Sequence, residues 1–154
     1  MENSIQETSS VNKLAHSQRL GALEKAMAQF EQVELEVRHH FAHGTYTREL
    51  FLPEGTIATG KIHRFSCTNI LSKGRIRVVT SEGTKEIEAP CVFKSGPGEK
   101  KAVVALEDCI FINVHPWNGT DDLEALESQL IVPSTEMLEH EFKEQVSCHG
   151  HLQQ

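Results

Sequence analysis

The sequence has no long apolar segment. Its hydrophobic fraction is 38%, and no run approaches the roughly 18 consecutive apolar residues that a membrane-spanning helix requires. The first ten residues, MENSIQETSS, also lack the basic start and the apolar stretch of a secretion signal. The sequence therefore predicts a soluble, cytoplasmic protein that has no membrane partner.

Closely spaced cysteine pairs are also missing. None of the four cysteines belongs to a Cys-x-x-Cys pair, and no secretory signal accompanies them; they are Cys67, Cys91, Cys109 and Cys148. We therefore expect reduced thiols and no disulfide framework. Cys91 and Cys109 lie in apolar segments and are interpreted as small core residues.

No catalytic motif can be read from the spacing of the polar residues. The sequence shows no Ser-His-Asp arrangement, no phosphate-binding glycine loop and no pair of acid/base carboxylates. The glycines of Ser95-Gly-Pro-Gly98 indicate a turn. Hydrolases and nucleoside triphosphatases are therefore not favoured, and the sequence leans away from an enzyme.

The charge is unevenly distributed. The chain carries a formal net charge of −7, which argues against general nucleic-acid binding, because such proteins need basic surfaces. Residues 1–37 carry −3 and residues 117–154 carry −7, whereas residues 38–116 carry +3. The acidity therefore belongs to the two ends, and the middle of the chain can accommodate a small anion.

The pattern of apolar residues divides the 154 residues, about one domain's length, into five segments. Leu20, Leu23, Met27 and Phe30 recur every three or four residues and predict one amphipathic helix. The predicted segments are a flexible N-terminus (1–16), the amphipathic helix (17–32), a β-barrel (33–116), acidic helices (117–144) and a flexible tail (145–154).

The middle segment has the two-residue alternation of half-buried strands, interrupted by turn residues. Short strands without intervening helices are typical of an antiparallel sandwich or barrel, so we predict an all-β core. The predicted strands span residues 33–37, 46–52, 57–65, 75–80, 84–88, 101–106 and 109–115.

One stretch has the spacing of a known motif. Gly55 is followed after five residues by Lys61-x-His63, then after three residues by Cys67, and then after six residues by Gly74. This spacing resembles the first motif of the cupin superfamily, which has His-x-His and Glu at the Lys61, His63 and Cys67 positions. The turn from Gly96 to Lys101 resembles the second motif more loosely, with Lys101 in place of a histidine.

The resemblance implies an all-β fold of the cupin type, a double-stranded β-helix or jelly-roll barrel with flanking helices. It also implies that Lys61, His63, Cys67 and Lys101 lie at the position of the cupin metal site, with Lys61 and His63 pointing into the barrel. A protonated lysine has no lone pair for a metal, and several cations in one cavity attract an anion. We therefore expect no cofactor, with a divalent transition metal on His63 and Cys67 as the alternative.

The sequence is more closely similar to small cupin-like proteins of bacteriophage and bacterial genomes, mostly of unassigned function. The shared features lie between residues 30 and 132 and include Gly60-Lys61-Ile62-His63-Arg64 and Val114-His115-Pro116. The resemblance implies a homo-oligomer, most simply a dimer, and location in the host cytoplasm if the protein is phage-encoded.

The direction of His115 stays open in the sequence. If Cys109, Phe111, Asn113 and His115 share the inner face of a strand, His115 reaches the cavity. If the apolar face of Ile110, Ile112 and Val114 points inward, His115 is a rim residue. Periodicity favours the second arrangement, because the apolar face usually points inward; the resemblance favours the first.

A further polar group precedes the motif. Tyr46 and Arg48 alternate along one predicted strand and share a face. They could orient an anionic or planar ligand, or they could form a packed ring and a cross-strand ion pair. The histidines nearby are more typical of a surface loop than of a metal site; they are His39, His40 and His43.

Three functions are compatible with these patterns. The leading hypothesis is a protein that binds a small anion in the barrel, using Lys61, His63, Lys101, Tyr46, Arg48 and His115. The second is a metal-dependent cupin enzyme with His63 and Cys67 as ligands and His115 as a candidate third. The third is a structural or assembly protein of a phage that keeps the fold without using the cavity.

Overall fold

The structure is a computed structural model that describes the backbone of residues 2–150 and the side chains of residues 4–144. Within these residues two antiparallel β-sheets pack face to face, and helices flank them at both ends of the chain. The antiparallel all-β core that the sequence predicts is therefore present.

The strands are short, as the turn spacing predicts. In chain order they are β1 (Val37–Ala42), β2 (Thr45–Leu52), β3 (Ile57–Thr59), β4 (Ile62–His63), β5 (Cys67–Lys73), β6 (Arg75–Thr80), β7 (Gly83–Glu88), β8 (Cys91–Ser95), β9 (Ala102–Ala105), β10 (Cys109–Pro116) and β11 (Ile131–Val132).

The larger sheet has the strand order β1-β2-β10-β5-β8, and the smaller sheet has the order β3-β9-β6-β7. Strands β4 and β11 form a separate antiparallel pair. Strand β2 pairs with the distant β10, and β5 pairs with β8, so the chain passes repeatedly between the two sheets. This winding is that of a jelly roll.

The core fills one end of the space between the sheets. Leu52, Leu71 and Phe111 of the larger sheet are buried against Ile76 and Val103 of the smaller sheet. Each strand contributes alternate residues, because neighbouring side chains of a strand point to opposite faces. The apolar core therefore occupies one half of the barrel and leaves the other half for different side chains.

Gly74 forms the corner at which the chain leaves the larger sheet for the smaller one. It lies between β5 and β6 and has a φ of 82°. A Cβ atom at this position would lie 2.5 Å from the carbonyl oxygen of Asp108 and 2.6 Å from Sγ of Cys109. Only glycine fits such a corner without displacing the neighbouring strand.

The first helix, α1 (Glu2–Met27), is longer at its start and shorter at its end than predicted. It begins at Glu2 instead of Ser17, because residues such as Glu and Gln have good helix propensity even without an apolar stripe. It ends before Phe30, which is 75% exposed, contrary to the predicted stripe. The side-chain amide of Gln32 donates to the carbonyl of Met27 and satisfies the helix end.

Helix α1 packs on the opposite end of the chain. Oγ of Ser17 lies 3.0 Å from Oγ1 of Thr135, and Nζ of Lys100 lies 2.8 Å from the carboxylate of Glu24. Leu20 is 5% exposed at this contact. The helix therefore attaches to the barrel through its second half.

Two helices follow the barrel, as predicted. Helix α2 (Leu123–Leu130) is capped by Asp122, whose carboxylate accepts hydrogen bonds from the backbone N–H groups of Glu124 and Ala125. Helix α3 (Thr135–Gly150) extends through the first residues of the predicted tail. Residues 151–154 of that tail lie outside the described residues.

The predicted strand at residues 57–65 is interrupted. Strand β3 pairs with β9, whereas β4 pairs with β11, so the hydrogen-bonding partner changes at Gly60 and Lys61. The sequence pattern missed β5 and β8 as strands and placed a strand at residues 33–37, where the structure begins β1 only at Val37. A change of partner leaves no mark on the apolar pattern.

Candidate functional site

The inward-facing positions of the larger sheet change from apolar to polar along the barrel. Leu50 of β2 pairs with Phe111 of β10, and two residues farther along, Arg48 pairs with Asn113. Asn113 in turn pairs with Asn69 of β5. The half of the barrel that is not filled by the core is therefore lined by polar side chains.

This half contains a cavity of about 370 Å³. Helix α2 lies over the cavity, with Leu126 and Leu130 buried against it. The polar residues that line the cavity are His39, Tyr46, Arg48, Thr59, Lys61, His63, Lys101, Asn113, His115 and Glu127. A volume of this size is within the range of small-molecule binding sites.

His63 reaches the cavity from β4. Its Nδ1 atom is buried and has no hydrogen-bond partner among the described residues. Burial lowers the pKa of His63 to about 3, and the nearby Lys101, His115 and Arg48 contribute to the lowering in that order. The imidazole is therefore neutral at pH 7 and keeps a lone pair that no described group uses.

Three side chains that can bind a metal lie close together in this half of the barrel. One potential ligand atom from each of His63, Cys67 and His115 lies within 4.8 Å of the other two. The rings of His63 and His115 meet edge to face, with centroids 5.0 Å apart. Burial raises the pKa of the Cys67 thiol, against a smaller opposing effect of Lys101. The grouping that the cupin-like spacing implied is therefore present, with His115 as its third member.

The position of His115 shows that the interpretation from periodicity is wrong. Along β10, Cys109, Phe111, Asn113 and His115 are buried, whereas the alternate residues are only partly buried. The apolar face therefore points outward. Periodicity assumes a dry interior, but this strand crosses both the apolar core and the polar cavity, so its inner face is mixed.

Lys101 lies inside the barrel. It is 5% exposed, and its Nζ donates to Oγ of Ser95 at 2.8 Å. The amide of Asn69 donates to the same oxygen at 2.7 Å, and the amide of Asn113 donates to Oδ1 of Asn69 at 2.8 Å. Burial lowers the pKa of Lys101, while Cys67 and Glu99 act in the opposite direction. The second motif thus placed this lysine correctly at the cavity.

Lys61 lies at the cavity mouth and not in the interior. Its side chain is 64% exposed, and its Nζ pairs with the carboxylate of Glu127 on α2. The expectation that Lys61 and His63 point together into the barrel is therefore wrong. It required a continuous strand, but the chain is irregular at Gly60 and Lys61, and β4 begins only at Ile62.

Aromatic rings form one side of the cavity. Tyr46 is buried, stacks on His115 with ring centroids 5.8 Å apart, and stacks on Phe41 at 5.3 Å. Its hydroxyl lies 2.7 Å from Nδ1 of His39. Burial raises the pKa of Tyr46, so its hydroxyl stays protonated at pH 7. Tyr46 is therefore held in place and keeps a polar edge in the cavity.

Arg48 lies at the centre of the polar surface, between His39 of β1 and Asn113 of β10. No carboxylate among residues 4–144 forms an ion pair with its guanidinium. The cross-strand ion pair considered from the sequence is therefore not formed. The neighbouring Glu49 faces the other side of the sheet and bonds to His40 instead.

Sequence reasoning missed several residues of the site. The missed residues are Asn69 and Ser95, which connect three strands together with Asn113, and the α2 leucines that cover the cavity; Asn113 was on the inner face in one of the two arrangements left open. The two-residue alternation of Cys67 with Asn69 and of Asn113 with His115 is a signal that could have identified the polar face. The contribution of α2 leaves no such signal.

Comparisons with known proteins support the fold. No protein-family model matches the chain, and no curated protein matches it either. Among solved structures, KdgF from Halomonas sp. is similar, with a TM-score of 0.50 and 15% identity over 60% of this chain and 88% of that chain. A Cupin 2 conserved barrel domain protein from Salinispora arenicola has a TM-score of 0.47 and 16% identity, over 60% of this chain and 84% of that one.

A cupin superfamily protein from Desulfitobacterium hafniense has a TM-score of 0.46 and 7% identity, over 59% of this chain and 86% of that chain. The strand order and the likeness to KdgF define the fold. The protein is a mostly antiparallel β-barrel of the jelly-roll type with flanking helices, which confirms the all-β jelly-roll fold predicted from the sequence. In the described part of the chain, no helix is long and apolar enough to cross a membrane.

Proposed function

We propose that the protein binds a small anionic molecule in the polar half of its barrel. The observation that carries the proposal is the charge of the cavity lining. Arg48 and Lys101 are cationic side chains of the lining, and the single acid among the described lining residues is Glu127, which is paired with Lys61 at the mouth. Two cations in the cavity lining, with the single acid of the described lining paired at the mouth, favour an anion.

Arg48 is the principal group of this site. A guanidinium keeps its charge at all physiological pH values and presents paired N–H donors that match a carboxylate or phosphate. The partly buried Arg48 has no carboxylate partner among residues 4–144. An anion entering the cavity would supply that partner in a less polar environment than water.

The other polar groups can complete the coordination of the anion. Lys101 uses one N–H donor on Ser95 and has two more. Neutral His63 and His115 each offer one ring N–H, and the Tyr46 hydroxyl lies beside them. Together these groups support binding and orientation and require no metal.

A screen of carboxylates, phosphates and nucleotides by thermal shift and calorimetry tests the proposal. A ligand at 100 times its Kd stabilises the folded state by about 2.7 kcal/mol, so a binding anion raises Tm measurably. We expect Arg48→Gln to weaken binding at least tenfold. Arg38→Gln is the matched control, because Arg38 lies outside the cavity on the same sheet and pairs with Glu36.

Two outcomes would contradict the proposal. One is that no anion of any class raises Tm. The other is that Arg48→Gln and Arg38→Gln bind the same anion equally well, which would place the anion outside the cavity. Circular dichroism of both variants separates loss of binding from loss of folding.

A second candidate function is metal binding, which the unpartnered Nδ1 of His63 favours. His63, Cys67 and His115 would hold the ion, and two imidazoles with one thiolate suit zinc, copper or iron. Such an ion would supply Lewis-acid chemistry or, for copper and iron, electron transfer. Lys101 acts against this function, since its positive charge would lie beside the ion.

Elemental analysis of the purified protein tests the second candidate. We expect a stoichiometric transition metal in the wild type if this function is correct, and its loss in His63→Ala. His43→Ala is the control, because His43 is exposed and lies outside the group. A protein that binds less than about a tenth of an equivalent of zinc, copper or iron after incubation with each ion would exclude this function.

A further inference from the structure

We infer that the anion is a small monocarboxylate with an apolar body, an inference that rests on the proposed function. The polar groups of the cavity form a belt at the level of Arg48 and Asn113. Apolar side chains line the cavity on both sides of this belt. A ligand that fills the cavity therefore contacts polar groups over only a part of its surface.

The first apolar surface lies on the core side of the belt. It consists of Leu50, Leu52, Val103 and Phe111, each at most 7% exposed in the structure and each lining the cavity. These four residues contribute no polar side chain to meet a ligand hydroxyl, and the nearby lining residue Thr59 lies at the level of Ala102. A polyhydroxylated ligand would leave its hydroxyls without hydrogen bonds there. An apolar ligand body would instead remove its own apolar surface and that of the cavity wall from water.

The second apolar surface lies on the opposite side of the belt and comes from α2 and β11. Leu126 and Leu130 are 1% and 6% exposed, and Ile131 lies beside them. Glu127 of the same helix is turned to the mouth, where it pairs with Lys61. The helix therefore adds apolar area to the interior and keeps its charge outside.

The belt itself matches one carboxylate. Arg48 supplies one permanent positive charge and a planar pair of donors, which is the geometry of a bidentate carboxylate contact. Asn113 lies across the strand pair from Arg48, but its amide already donates to Asn69. A polyphosphate would bring several negative charges to a site with two cations, of which Lys101 already donates to Ser95, so the belt favours an anion of low charge such as a single carboxylate.

The volume limits the size of the ligand. A cavity of about 370 Å³ has the volume of roughly a dozen waters, given about 30 Å³ for each water in the liquid. A carboxylate attached to a single aromatic or branched aliphatic group fits this space.

Calorimetry with four probes tests the inference. Phenylacetate has a carboxylate and an apolar body; phenylacetamide has the same shape without the charge; gluconate has the carboxylate on a hydroxylated body; inorganic phosphate has charge without a body. We expect phenylacetate to bind at least tenfold more tightly than each of the other three.

Two variants assign this preference to the two parts of the cavity. Arg48→Gln should remove the preference for phenylacetate over phenylacetamide. Val103→Thr, which adds one hydroxyl to the apolar surface at almost constant volume, should weaken phenylacetate several-fold and leave gluconate unchanged. Arg38→Gln should keep the wild-type order of affinities, and urea unfolding of each variant shows that it is folded.

The outcomes separate the ligand class from the proposed function. If gluconate or phosphate binds as tightly as phenylacetate, the inference is wrong and the anion site stands. If phenylacetamide equals phenylacetate in the wild type, both the inference and the proposed function are contradicted. If none of the four probes binds, the inference is wrong, and the wider anion screen decides the proposed function.

Discussion

At the scale of single residues, two buried histidines in the cavity carry no charge at pH 7. Burial lowers the pKa of His63 to about 3 and that of His115 to about 4, with Lys101 and Arg48 as the charged groups that face both rings. Both imidazoles are therefore neutral in the folded protein at pH 7. They leave Arg48 and Lys101 as the cations of the interior.

We predict from these pKa values that the protein loses stability as the pH falls below neutral. The unfolded chain takes up protons near pH 6.5, before the folded chain does, so the stabilisation is present above that pH and is lost as the pH falls toward 4 and 3. Between pH 6.5 and 5 each imidazole should lower the free energy of unfolding by about 2 kcal/mol.

Urea unfolding at pH 7 and pH 5 measures this effect. His115→Gln should reduce the loss of unfolding free energy between pH 7 and pH 5 by the contribution of one imidazole. His43→Gln, at an exposed position, should leave this loss unchanged. Equal pH dependence in the wild type and in His115→Gln would show that His115 titrates normally in the folded protein.

The sequence predicted some of these residues because spacing survives where residue types change. The motif spacing placed His63 and Lys101 at the cavity and Cys67 beside His63, although only His63 keeps a residue type of the cupin pattern. It failed for Lys61, since a side chain's direction depends on the local backbone and on Glu127, 66 positions later in the chain. Long-range pairs of this kind cannot be read from spacing.

At the scale of elements, the corner between β5 and β6 has a fixed geometry. Gly74 connects the two sheets with a backbone conformation that other residues rarely adopt. The carbonyl group of Asp108 and the sulfur of Cys109, at the start of β10, lie against it. Its place in the cupin-like spacing follows from this geometry. Spacing identifies the position, and the packing of Asp108 and Cys109 explains why glycine occupies it.

We predict that Gly74→Ala destabilises the protein strongly. The left-handed φ of 82° costs an alanine about 1–2 kcal/mol, and the contact with the Asp108 carbonyl oxygen adds strain to that. Gly44→Ala is the matched control, because Gly44 has a φ of 73° and an added methyl group there would meet nothing within 4 Å. Urea unfolding should show a loss of at least about 2 kcal/mol for Gly74→Ala.

The comparison of the two variants decides between strain and crowding. A loss for Gly44→Ala of about 1 kcal/mol reports the backbone conformation alone. If Gly74→Ala loses no more than Gly44→Ala, the contact with the neighbouring strand relaxes freely and the corner does not depend on glycine.

Helices and sheets differed in how far the sequence revealed them. The two-residue alternation predicted most strands of the barrel, because each has one inward face. The bounds of α1 could not be read, since residues 4–9 are exposed and form a helix without an apolar stripe. The interruption between β3 and β4 depends on a pairing with β11, which lies far along the chain.

The charges of the whole molecule are arranged so that most basic side chains of the barrel are neutralised locally. Arg38, Arg64, Arg75, Arg77, Lys61 and Lys100 each form an ion pair with a glutamate. Arg48 forms no such pair among residues 4–144, although it belongs to the same basic middle segment. The exposed Lys73, Lys85 and Lys94 also form no ion pair among residues 4–144, so the positive balance of residues 38–116 is divided between the cavity and the surface.

We predict that the protein does not bind double-stranded DNA of random sequence. A net charge of −7 and paired surface bases give little counterion release on contact with a phosphate backbone. Fluorescence anisotropy at about 0.15 M salt should show no binding up to about 100 µM protein. A Kd in the low micromolar range, with an affinity that falls steeply as salt is added, would instead reveal an unpaired basic surface.

The assembly of the molecule stays a prediction. The sequence resemblance implies a homo-oligomer, most simply a dimer, and cytoplasmic location in a phage host. Sedimentation velocity measures the oligomeric state directly. The fold class was predictable because alternation and turn spacing act over the whole barrel, whereas assembly depends on a surface that no motif describes.

The unpartnered Nδ1 of His63 provides a spectroscopic signal of whether the cavity is filled. An ion held by His63, Cys67 and His115, or a ligand that contacts the His63 ring, would change the surroundings of a buried nitrogen that no described residue engages. The nitrogen chemical shift of this one imidazole therefore differs between a coordinated metal, a hydrogen-bonded ligand and an unengaged ring. A single labelled histidine can thus follow the filling of the barrel before the identity of the natural ligand is known.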